Sequence, residues 1–181
     1  AIPYYQIIYN KLSDPLPAKL AIDNVTLFDA PNAKTIGNTT VLIVNGLVTA
    51  IGKAGSLKIP KGFTIINGIG KTLLPGLWDT HAHYSKDDGI DYLSGGITHV
   101  RDMGNMPYIK QLQQNIRRHD ILGPDISYLS GFIDKDDEYH GPVGKLVNSK
   151  AEAVAAVNYF GKANYDQIKI YSSIDTGWIK A

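Results

Sequence analysis

From Gly76 onward, strand-like and helix-like runs alternate, and this alternation constrains the fold more than any other feature of the 181-residue chain. Strands are predicted over 76–81, 98–103, 125–132 and 167–172. A short segment at 88–93 and two longer helices lie between them. In the first helix, 106–119, Ile109, Leu112 and Ile116 recur at spacings of three and four and so share one face. In the second, Ser149 and Glu152 read as a capping box ahead of Val154, Val157 and Phe160, and Gly161 is placed to end it. Strands separated by helices in this way build a parallel sheet or barrel.

The sequence before Gly76 differs in kind. An alternating run at 20–28 is followed by a turn-rich stretch at 31–38, and then by strands at 40–44 and 47–51 that flank Asn45-Gly46. That dipeptide favours a type I′ turn, which predicts a hairpin. A further strand is predicted at 63–66. The expected organisation is a β-rich segment over 1–74, of sandwich type, followed by βα units over 75–181. A (βα)8 barrel takes about 250 residues, so the roughly four units visible are expected to be the first half of one, truncated before closure. Half a barrel leaves sheet edges unpaired. Such a piece is expected to aggregate, to self-associate as a homo-oligomer, or to pair with its missing half.

Composition narrows the chemistry. With 18 basic and 17 acidic residues the chain has no bulk charge to draw it to nucleic acid or an anionic membrane, and no apolar run approaches the ~18 residues that span a bilayer. A small-molecule or peptide substrate is favoured. There is no cysteine, so any metal must sit on nitrogen and oxygen ligands. The compartment stays open between the cytoplasm and, where Ala1 follows a removed signal peptide, the periplasm or exterior.

The chemistry-bearing pattern is Leu77-Trp78-Asp79-Thr80-His81-Ala82-His83. Residues two apart on a strand project to the same side, so His81 and His83 can grip one cation, and they stand at the strand's C-terminal end, where barrel enzymes place their chemistry. The second candidate is Lys169. If Ile168 and Ile170 face the helices, then Gln167, Lys169 and Tyr171 face the lumen, where a lysine is unusual and burial favours its neutral amine. Such an amine can take up carbon dioxide as a carbamate, an anionic oxygen ligand. The bland alternatives are surface histidines and a lysine whose stem covers apolar surface.

Pro75–His83 resembles the first barrel strand of the amidohydrolase superfamily. Val41–Gly52 is similar to that family's small N-terminal sandwich, Gly95–Gly104 to its second barrel strand, and Gly123–Phe132 to its third. The resemblance implies a TIM-type barrel and metal-assisted hydrolysis of carbon–nitrogen bonds. His81 and His83 would hold the more buried metal, and a carboxylated Lys169 would bridge it to a second. Zinc suits these ligands best, with nickel, manganese and iron also compatible. The resemblance further implies later histidines and a general-base aspartate beyond Ala181, so the isolated chain is expected to be inactive. Asp79 is a candidate to orient a ligand, with a helix-facing or capping role as its alternative. Tyr84 and His140 are candidates to read substrate, each against an ordinary surface role. His99 lies in the second strand, His119 on a helix. The acidic run Asp134, Asp136, Asp137 and Glu138 could attract a cationic substrate group or be a solvated loop. The loop and the strand at Lys169 resemble the branch of imidazolonepropionase-like enzymes and metallo-dipeptidases, which points to a peptidase or amide hydrolase. The alternatives are a mononuclear deaminase and a non-catalytic scaffold.

Overall fold

The computed structural model describes residues 17–135 and 143–179. The chain divides into two compact units, Ser13–Pro75 and one built on Gly76–Ala181. Among the described residues no helix is long and apolar enough to cross a membrane.

The Ser13–Pro75 unit is a sheet of β1 (Lys19–Asp29), β2 (Lys34–Val44), β3 (Leu47–Lys53), β4 (Thr64–Asn67) and β5 (Thr72–Leu73). The order is β3-β2-β1-β4, with β5 also pairing β1. At the β2–β3 hairpin Asn45 and Gly46 take φ +50° and +79°, the two positive values that a type I′ turn demands. The turn-rich stretch behaves differently from the expectation. Only Ala30–Asn32 forms a 3-10 turn, and Lys34 already pairs with Asp29 as β2 begins. This half of β2 is exposed, so no apolar alternation marks it. The described strands of this unit form one sheet, on which Val48, Ile51 and Ile65 are exposed.

The second unit runs β6 (Leu77–Ala82), α1 (Gly89–Ser94), β7 (Ile97–Asp102), α2 (Ile109–Arg117), β8 (Asp125–Asp134), β9 (Lys145–Leu146), α3 (Lys150–Lys162), β10 (Gln167–Ile170) and α4 (Thr176–Ile179). Strands β6, β7, β8 and β10 lie side by side in chain order and are parallel throughout. This is the expected βα succession as a partial barrel wall, and closure into eight strands is not seen. The core fills the space between sheet and helices, with Ala82, Val100, Ile126 and Leu129 from the strands against Ile109, Leu112 and Ile116 of α2.

Helix α3 packs by a rule that its periodicity hid. Its buried face is Ala153, Ala156 and Phe160, while Val154 and Val157 are left largely exposed. The small alanines let the helix approach β8, where Phe160 lies over Gly131; a Cβ there would come within 2.4 Å of the Phe160 ring. Ser149 caps the helix as predicted, accepting from the Glu152 N–H, but the Glu152 carboxylate reaches the N–H of Asn148 rather than that of Ser149. Gly161 does not end the helix. Asn164 does, at φ +55°, with the Tyr165 N–H bonded to the Phe160 carbonyl in a Schellman closure. His119 does the same for α2, at φ +61°.

Candidate metal centre

The site is assembled at the C-terminal ends of β6, β7, β8 and β10. Strand β6 carries a register shift between Asp79 and Ala82, so side chains three apart face the same way across it. Asp79 and Ala82 therefore turn to the helix side, leaving His81 and His83 on the other. Asp79 accepts from the Tyr92 hydroxyl at 3.2 Å, and its second oxygen accepts from the backbone N–H of His81 at 3.0 Å. Burial first, then the charge and hydrogen bond of Asp79, push the Tyr92 phenol up from its ordinary pKa. Asp79 is thus helix-facing and steadies His81 through the main chain, a geometry that strict strand alternation would have missed.

Lys169 reaches this cluster from β10, directly beside Phe132 in the ladder. Its Nζ lies 3.4 Å from Nε2 of His81 and 3.4 Å from Nε2 of His83. The alternation on β10 is as expected: Ile168 packs on the helix-side core, and Ile170 lines the groove between Ile133, Val157 and Trp178. The ammonium also lies over the Tyr171 and Phe132 rings, 5.0 and 5.8 Å from their centroids.

The tautomer of His83 follows from its partner. Nδ1 lies 2.7 Å from the carbonyl oxygen of Gly104, which can only accept, so Nδ1 carries the proton. Nε2 then presents a lone pair to the point where Lys169 stands. Among the described residues no three His, Cys, Asp or Glu side chains gather round one point; the third member of this cluster is a lysine. Two imidazoles and an amine nitrogen fit a divalent cation once the amine is neutral or converted to an oxygen ligand.

Beside the cluster is a cavity of about 320 Å³ lined by His83, Lys169, Met103, Phe132, Val143 and Tyr171, among others. Tyr84 is not there. Its ring is fully buried in the core with Ile109, Leu112 and Ile116. The segment beyond β6 folds inward, tied by the Tyr84 N–H to the Asp102 carboxylate at 2.9 Å. His99 is also elsewhere, stacked on Trp78 with ring centroids 4.7 Å apart. Asp134 is buried, bonded to the Lys135 N–H and the Ser173 hydroxyl. His140, Asp136, Asp137 and Glu138 lie outside the described residues. Sequence reasoning overlooked Phe132, Tyr92 and above all Asp102. The Arg101-Asp102-Met103-Gly104 string was visible, but nothing in it says where the carboxylate points.

The fold is a known one: over the part it spans, the chain shares the fold of solved structures described as a candidate prolidase and an amidohydrolase. No family model matches it. It is similar to a candidate prolidase from Bifidobacterium longum, with 24% identity and a TM-score of 0.76 over 89% of this chain and 42% of that one. A Xaa-Pro dipeptidase solved with methionine in its active site gives 22% identity and a TM-score of 0.67 over 84% and 46%. In sequence, the enamidase of Eubacterium barkeri is 36% identical over 76 residues, covering 36% of this chain and 20% of the enamidase. The chain thus spans less than half the length of each of these proteins.

Proposed function

We propose that this chain contributes the first half of a metal-dependent hydrolase of carbon–nitrogen bonds, acting on a peptide or other amide. The observation that carries the reading is the convergence of Lys169 Nζ on Nε2 of both His81 and His83. The two histidines would hold one divalent ion, zinc by donor type. Lys169, carboxylated by carbon dioxide with loss of a proton, would supply the bridging oxygens to a second ion. When bound, the metal lowers the pKa of a water and polarises the scissile carbonyl. The residues in hand do the rest. Gly104 holds the His83 proton on Nδ1, the Asp79 carboxylate holds the main chain at His81, and Phe132, Tyr171, Met103 and Val143 wall a space for an apolar substrate group. The similarity to a dipeptidase and a candidate prolidase favours dipeptides, and that to an enamidase favours an enamide. A deaminase without a lysine bridge would leave the placement of Lys169 unexplained.

The test is metal content by elemental analysis of the intact protein, alongside Lys169→Ala and His81→Ala. One to two zinc ions per chain in the parent, reduced in both variants, together with cleavage of apolar dipeptides or an enamide, is the expected result. A parent that binds no divalent metal would refute the reading.

A further inference from the structure

We infer that Asp102 is a positioning residue whose task is to set the tautomer of His83. Asp102 ends β7 and is fully buried, yet it has no place among the groups at the centre. A carboxylate is expensive to bury unless its oxygens are filled by donors, and here three N–H groups fill them. Oδ2 accepts from the Tyr84 N–H at 2.9 Å and from Nδ2 of Asn105 at 2.9 Å; Oδ1 accepts from the Gly104 N–H at 3.1 Å. Asn105 closes the knot by donating to the Tyr84 carbonyl at 2.7 Å and accepting from the Met106 N–H at 2.9 Å.

The knot therefore ties the residues after β6 to those after β7, and its output is one carbonyl. Gly104 adopts φ +122°, which a side chain rarely tolerates, and a Cβ there would sit 3.4 Å from that of Phe132. In this pose the Gly104 N–H points back at Asp102 while its carbonyl oxygen takes the Nδ1 proton of His83 at 2.7 Å. The chain of cause is Asp102, Gly104, His83 Nδ1–H, and finally an Nε2 lone pair aimed at Lys169. A plain brace between two strand ends could be apolar. Asparagine, with one acceptor oxygen, cannot serve three donors. Releasing Gly104 removes the acceptor that the Nδ1 proton has among the described residues, and that proton can then move to Nε2, where it blocks a ligand.

The inference rests on the metal reading for its consequence, and its test separates the two. In the intact metal-free protein near pH 8, long-range proton–nitrogen correlation spectra should show His83 of the parent in the Nδ1–H form alone. Asp102→Asn should lose that single form and bind zinc about 10- to 100-fold more weakly. Asn105→Ala, which loosens the knot but keeps the carboxylate, should move both readings in the same direction by less. Asp102→Asn that melts lower but keeps the parent tautomer and zinc affinity would make Asp102 a mere brace and overturn the inference. If Asp102→Asn does not fold, an unchanged tautomer in Asn105→Ala overturns it equally. A parent that binds no zinc while its tautomer still answers to Asp102 would remove the metal reading and leave the positioning role standing.

Discussion

The phenol of Tyr84 is fully buried with its hydroxyl against Gly89 and Gly123, and among the described residues that hydroxyl has no hydrogen-bond partner. Burial first, then the charge of Asp88, drives its pKa above the ordinary tyrosine range. A raised pKa means that stability is fully present below the unfolded value near 10 and is lost as pH rises toward the folded value. Tyr84→Phe should therefore stabilise the protein, by about 1 kcal/mol given the cost of an unpaired buried hydroxyl, and should weaken the loss of stability in alkali. Urea titrations at neutral and high pH would check this. Turnover of a loaded enzyme should be unchanged, and a drop would return Tyr84 to the substrate. Asp125 has the opposite sign. Burial would raise its pKa, but hydrogen bonds from Arg117 and Ser127 and the charges of Arg117 and His99 outweigh it and hold the carboxyl below its usual value. That stability is lost as pH falls through the depressed value. Because the Arg117–Asp125 pair is partly exposed, Arg117→Ala should cost under about 1 kcal/mol, with the difference from the parent vanishing in acid melts.

At the scale of the element, α3 shows which local signals suffice. Ser149 is legible as a cap because the bond it makes is three residues away, and Ser149→Ala should cost about 1 kcal/mol in thermal melts. The buried face of the same helix is not legible. Its valines suggest one face, but the contact surface is decided by Gly131 on β8, which admits Phe160. Gly131→Ala should cost about 1–3 kcal/mol by overpacking; a variant as stable as the parent would show that α3 has another way to dock. The choice of Asn164 over Gly161 as terminator has a similar cause. Phe160, Lys162 and Tyr165 extend the helix to where Tyr165 meets the core, one residue past the left-handed position that an asparagine can take.

At the scale of the molecule, the Ser13–Pro75 unit exposes Leu47 at 72% and Ile69 at 64%, with Val48, Ile51 and Ile65 also exposed, and β6 and β10 end the parallel sheet without a further neighbour among the described residues. Apolar faces and open edges of this kind mark association. The 181-residue polypeptide by itself is expected to sediment as a concentration-dependent oligomer, and a single monomer across a hundredfold range of concentration would contradict this. The order of strands, the hairpin at Asn45-Gly46, the helix face of Ile109, Leu112 and Ile116, and the projection of Lys169 opposite Ile168 were determined by the sequence alone. Each of these rests on backbone preference or on a period of two or 3.6 residues. The tertiary structure decided that Asp79 faces Tyr92, that Tyr84 lies in the core, and that Asp102 accepts from the N–H groups of Tyr84 and Gly104 beside His83. It also decided that Lys169 meets two imidazoles 86 and 88 residues away. A one-residue bulge reverses the side of a strand, and contacts at such separations depend on which strands lie side by side, so no local window of sequence could contain either answer.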